Sequence, residues 1–229
     1  MATLILIETS TALCSTAILQ DGKIISHREN EERMHSSLTA PFVKEMLDEV
    51  NLTVDGCDGV CVSMGPGSYT GLRVGVSTAK GLCFGAGIPL YAVSSLDALA
   101  GEALSVPGLM DGINKIVPMI DARRMEVYCS VFDREGHPLS EIESKIVDEN
   151  SFSDLLDEGG VLFIGDGALK CSEVIKHPNA KFHQCCPSAM GMAIPAMREF
   201  EKGNKRDVAY FEPFYLKEFV TTVSKKKLF

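Results

Sequence analysis

No apolar run in this 229-residue chain approaches the roughly 18 to 20 residues needed to cross a bilayer. The opening MATLILIETS has neither the basic n-region nor the small-residue cleavage site of a secretory leader. It is expected to be a buried first strand, and the protein to be cytoplasmic. Among the eight cysteines there is no Cys-x-x-Cys pair. Most lie inside apolar segments, and they read as reduced, buried, small hydrophobes. Positive charge is also scarce: 22 lysines and arginines face 31 acidic residues, for a net charge of −9. Phosphate neutralisation dominates nucleic-acid affinity, so such a chain is a poor stand-alone binder of nucleic acid. Its one basic cluster, Ser224–Lys227, is expected to be a solvated tail. The catalytic signatures His-Glu-x-x-His and Gly-x-Ser-x-Gly are missing, and the five histidines form no ligand cluster, which argues against a peptidase.

What remains is an ordinary globular composition, 45% hydrophobic and 23% charged. TLILIE, CSTAILQ and KIISHRE read as three antiparallel strands, with Gln20-Asp21-Gly22 as a hairpin turn. HSSLTAPFVKEMLDEV follows with Leu38, Phe42, Val43, Met46, Leu47 and Val50 at helical spacing and a serine cap at Ser36 or Ser37. GVCVSM then reads as a buried strand, residues 70–84 as a helix, PLYAVSS as a strand and LDALAGEAL as a helix. Beyond Pro107-Gly108 the order starts again: NKIVPMIDA, EVYCSVFD and ESKIVD as strands, a short helix over 152–156, the strand VLFIG and the helix LKCSEVIK. The pattern predicts an α/β chain of two lobes, 1–106 and 107–229, duplicated in architecture without a residue-level repeat.

The most unusual stretch is SMGPGSYTGLRVGVSTAKGL, Ser63 to Leu82. No lysine stands where a Walker loop needs one, and Gly65 and Gly67 are followed by Thr70 where the dinucleotide fingerprint wants glycine. In the helix that follows, Gly71, Gly75, Thr78 and Leu82 form one row, nearly bare of side chain at its start, beside a fuller row of Leu72, Val76, Ala79 and Cys83. Glycine costs about 1 kcal/mol in a helix interior relative to alanine, so something packs closely there. The candidates are the preceding helix of the same chain and the helices of a partner.

GPGSYTGLRVGVSTAKGL, with IETSTALCSTAIL before it and DARRMEVY and PFYLK after it, closely resembles the bacterial TsaB (YeaZ) family, from Leu6 to Lys217. The resemblance implies the actin, sugar-kinase and heat-shock-ATPase (ASKHA) fold and a role in making threonylcarbamoyladenosine beside the tRNA anticodon. It implies a non-catalytic partner of TsaD, with TsaE and tRNA engaged through the complex, and a homodimer when the chain is alone. The docking surface is then expected at Leu38, Phe42, Met46, Gly71, Leu72, Gly75, Val76, Thr78, Ala79 and Leu82. The alternative is an active ASKHA-type ATPase or kinase, or a glycoprotease-like peptidase. TsaD holds a metal through a His-x3-His pair on its first helix. Here His35 is followed by Thr39, so no metal is expected, and His35 reads as a helix-start or surface residue. Glu8, Thr9 and Ser10 stand where the superfamily's first phosphate loop begins with aspartate, and no glycine supplies its turn. Gly165, Asp166 and Gly167 match the adenosine-contacting turn, or are merely a tight turn. Together these form a possible degenerate nucleotide site. No cofactor is expected to be required by this chain, with ATP or ADP possible in the complex. Asp121, Arg123 and Arg124 make a compact charge cluster that reads first as a structural ion pair.

Overall fold

Strand β1, Thr3–Glu8, is buried at every position, as a central strand covered on both faces must be. It pairs antiparallel with β2, Cys14–Gln20, which pairs antiparallel with β3, Lys23–Asn30. Asp21 and Gly22 take the left-handed conformations, φ 48° and 77°, that their hairpin turn demands. On the other side of β1 lie β4, Gly59–Ser63, and β5, Leu90–Val93, both parallel, giving the order β3-β2-β1-β4-β5. This computed structural model describes residues 2–32 and 34–217; the Ser224–Lys227 cluster and the end of the expected second lobe lie outside them.

Alternation along β1 divides the core. Ile5 and Ile7 face helices α1, His35–Glu49, and α2, Tyr69–Ala86. Leu4 and Leu6 face the opposite side of the sheet. Helix α1 begins without a serine cap: the residue before it is Met34, whose carbonyl accepts the Ser37 hydroxyl. Ser68 caps α2 by accepting the Gly71 N–H, and Gly87 ends it at φ 69°. Helix α3, Ser95–Ser105, starts with a reciprocal capping box between Ser94 and Asp97.

The second sheet repeats the first. Strand β6, Lys115–Asp121, pairs antiparallel with β7, Glu126–Cys129, and with the short β8, Phe132–Asp133, where the single strand expected over 126–133 is interrupted. β7 pairs antiparallel with β9, Glu143–Ile146. After α4, Ser153–Glu158, come β10, Val161–Ile164, the single turn α5, Ala168–Cys171, and β11, Ala180–His183. Both β10 pairings, to β6 and to β11, are parallel, so the order is β11-β10-β6-β7-β9. Three antiparallel strands followed by two parallel ones recur in the same spatial order, and this is the duplication expected from the sequence.

The division at 106/107 does not describe the packing. Helix α6, Ala193–Glu201, lies far along the chain but covers the first sheet, its Ala196 and the adjacent Met192 against Leu4, Leu6 and Tyr91. Residues 206–217 then run back across the first lobe: Arg206 N–H bonds to Leu90 O, and Lys80 Nζ donates to Ala209 O and Phe211 O at 3.0 Å each.

Candidate functional site at the cleft between the lobes

Loops at the ends of β1, β4, β6 and β10 enclose a cavity of about 780 Å³ between the lobes, the usual position of ligands in open α/β sheets. A further wall is the returning segment, through Phe214–Lys217. Phe214 N–H bonds to Met64 O at 2.7 Å, and Tyr215 packs on Tyr69 with ring centroids 4.8 Å apart and the planes tilted by 34°. Arg73 lies over the Tyr69 ring and donates to both tyrosine hydroxyls. Lys217 reaches the other lobe, pairing with Glu126. In the sequence, PFYLK is legible only as a mark of family resemblance. Its packing role carries no periodic signal, because an extended segment on a surface buries residues irregularly.

The first loop is closed on itself. Glu8 is fully buried, and its Oε1 accepts the Ser10 N–H at 2.5 Å. A backbone donor that a phosphate oxygen would need is taken by the chain's own carboxylate. Ser10 O accepts Ser68 N–H at 2.6 Å, and Thr9 Oγ1 donates to Gly71 O at 2.8 Å. Burial pushes the Glu8 carboxyl above its ordinary range, opposed by hydrogen bonding from Ser10 and Ser63. Glu8 Oε2, Ser10 Oγ and Thr11 Oγ1, all buried, have no hydrogen-bond partner among the described residues.

These contacts explain the glycines and correct the expected docking face. A methyl group at Gly71 would fall within 3.0 Å of Thr9 O, and one at Gly75 within 3.0 Å of Thr9 Oγ1. The bare row is filled by the β1–β2 loop of the same chain. Gly71, Leu72, Gly75, Val76, Ala79 and Met46 are all buried inside the chain, so none is available to a partner. Leu38, Phe42, Thr78 and Leu82 remain half-buried. Phe84 is 85% exposed beside Gly81 and Gly85, where added bulk meets open space.

The second lobe contributes a turn and a hairpin. Gly165 and Gly167 lie against β6, where a methyl on Gly165 would fall within 3.0 Å of Met119 O, and Asp166 Oδ1 accepts Asp121 N–H at 2.9 Å. The Gly165-Asp166-Gly167 turn is thus held by packing inside the lobe. Burial raises the Asp166 carboxyl, aided by the charge of Asp121. The expected Asp121–arginine ion pair is not formed. Asp121 pairs with Lys170 and accepts the backbone N–H of Arg123, and against the opposing effect of burial these bonds hold it below the usual carboxylate range. His35 is buried, not a surface residue, with Nε2 3.0 Å from Thr11 O, while Thr39 Oγ1 donates to His35 O. Among the described residues no group of three or more His, Cys, Asp or Glu is placed to hold a metal ion, and no helix is long and apolar enough to cross a membrane.

A family model for TsaD, tRNA N6-adenosine threonylcarbamoyltransferase, matches residues 23–225. The tRNA threonylcarbamoyladenosine biosynthesis protein TsaB of Bacillus subtilis is 32% identical over 71% of this chain and 70% of its own length. The chain belongs to the TsaB (YeaZ) family. The TsaB of Haemophilus influenzae is 29% identical over 96% of this chain and 95% of its own length. YeaZ from Pseudomonas aeruginosa, 26% identical, superposes with a TM-score of 0.81 over 94% of this chain and all of that one. The activator of 2-hydroxyisocaproyl-CoA dehydratase from Clostridium difficile, 11% identical at a TM-score of 0.51, shares the fold alone. This member of the family has the two-lobed ASKHA architecture read from its strands.

Proposed function

We propose that this TsaB-family chain is a non-catalytic, cytoplasmic partner of TsaD in threonylcarbamoyladenosine modification of tRNA beside the anticodon, docking and activating it. The observation that carries this reading is a family match over nearly the whole chain combined with a first phosphate loop whose Ser10 N–H is taken by Glu8 and whose Thr9 hydroxyl and Ser10 carbonyl bond to the start of α2. A complete fold with a self-closed loop suits a scaffold better than an ATPase, kinase or peptidase. No cofactor is required by this chain, ATP or ADP belongs to the assembled complex, and TsaE and tRNA are met through that complex. The docking face is the half-buried part of α1 and α2 around Leu38, Phe42, Thr78 and Leu82, extended toward Phe84. An exposed apolar ring on a helix otherwise lined by Gly81 and Gly85 leaves backbone open to close approach. The same face pairs two copies of the chain when TsaD is absent.

Thr78→Arg and Leu82→Glu, placed on this half-buried face, are expected to lower TsaD affinity by at least tenfold, since a buried unpaired charge costs several kcal/mol. Calorimetric titration with TsaD and size-exclusion chromatography of the chain alone read both outcomes. Folded variants that bind TsaD as tightly as the unmodified chain refute the surface. ATP or peptide turnover by the chain alone, abolished in Glu8→Gln, refutes the non-catalytic role.

A further inference from the structure

Between β6 and β7 the chain turns through Arg123 and Arg124, both at positive φ, 73° and 52°. Glu126 N–H closes the turn on Arg123 O at 3.1 Å, with Arg124 and Met125 between them, and positive-φ positions strain any large side chain. Two arginines occupy them here, both exposed. Neither guanidinium has a hydrogen-bond or ion-pair partner among the described residues, although Asp121 lies two residues before Arg123. The carboxylates beside the turn are already engaged, Asp121 by Lys170 and Glu126 by Lys217 and Ser144, and Arg123 acts on Asp121 only through its charge. Asp166, also on the cleft wall, is pushed toward its neutral acid by burial. Pairing thus consumes the lysines and leaves two cations over, at one point on a chain whose net charge is −9. Arg123 lines the mouth of the cleft between the lobes.

We propose that Arg123 and Arg124 contact RNA phosphates when the chain is assembled with TsaD. A guanidinium with free donors on a strained turn suits a phosphate ester, which takes it through two parallel hydrogen bonds. The chain's overall negative charge keeps the contact weak in isolation and makes it effective only where the partner supplies the remaining attraction. This inference rests on the partnership with TsaD argued above and adds to it a direct contact by this chain with the substrate.

The test uses the complex of full-length chain and TsaD with an unmodified tRNA transcript, its affinity measured by fluorescence anisotropy from 50 to about 300 mM salt. Arg123→Asn combined with Arg124→Gly removes both charges and places at the two positive-φ positions residues that tolerate them, so its thermal midpoint should equal or exceed that of the unmodified chain. We expect tRNA affinity to fall by five- to tenfold or more, and the slope of log affinity against log salt to shrink by about 1.5 to 2, as for two lost phosphate contacts. Arg123→Lys with Arg124→Lys should keep most of that slope. An Asn-Gly variant that captures TsaD normally but keeps the affinity and salt slope of the unmodified chain overturns the inference and leaves the partnership intact. A variant that weakens ATP binding by the complex but not tRNA binding overturns it equally. If the unmodified chain fails to capture TsaD, the partnership itself falls.

Discussion

Gly75→Ala should destabilise this chain in a way that depends on one atom of another element. The new methyl group would sit within 3.0 Å of Thr9 Oγ1, which is held at 2.8 Å from Gly71 O by its hydrogen bond. Either Thr9 stays and the helix is overpacked, at about 1 to 3 kcal/mol, or its hydroxyl swings away and forfeits a buried hydrogen bond, at about 1 kcal/mol. Against this stands the helix-propensity gain of about 1 kcal/mol for alanine over glycine. The net expectation is a loss of up to about 2 kcal/mol. In a Thr9→Ala background the oxygen is gone and the nearest remaining contact, Thr9 Cβ, is an ordinary 3.5 Å away. There Gly75→Ala should turn stabilising, by up to about 1 kcal/mol. Urea unfolding of the four proteins closes a double-mutant cycle with a coupling energy of about 1 to 3 kcal/mol. A Gly75→Ala substitution that stabilises both backgrounds equally would mean that Thr9 does not set the need for glycine, and would return the bare row of α2 to the partner.

The buried Glu8 makes stability pH-dependent. Its folded pKa is raised, so above the ordinary carboxylate value of 4.5 the folded chain keeps a proton that the unfolded chain releases, and stability falls as pH rises from 4.5 toward the folded value. Glu8→Gln should therefore gain on the unmodified chain by up to about 1.4 kcal/mol per pH unit over that window and show no such gain below it; a difference independent of pH in urea midpoints refutes the upward shift of Glu8. Ser94→Ala removes the acceptor for Asp97 N–H at 2.9 Å and the hydroxyl donor to Asp97 Oδ2 at 2.6 Å. It should cost about 1 to 2 kcal/mol in chemical denaturation, and an unchanged midpoint would show that the box contributes nothing to α3.

The sequence by itself determined the elements whose forces are local. Alternation and β-branched runs marked both three-stranded meanders, Asp21-Gly22 marked its hairpin, and the spacing from Leu38 to Val50 marked α1, because backbone geometry and the side-chain period act over a few residues. That glycine-rich α2 needed a close neighbour was legible too, since the penalty for helical glycine is local. Which neighbour it had was not. Thr9 meets Gly71 and Gly75 across a sequence separation of 62 to 66 residues, and a row that is bare for an incoming helix looks the same as one bare for a loop of its own chain. Asp121 likewise stood beside two arginines in the sequence, but Lys170 took it, because the hairpin strands carry successive side chains apart while β10 and α5 bring a distant lysine in. The return of residues 189–217 to the first lobe was hidden for the same reason: α6 and the extended segment after it bury their side chains against a sheet laid down more than a hundred residues earlier. Local propensity says what shape a segment takes; only the assembled sheets decide which surface it covers, and so which residues stay free for a partner.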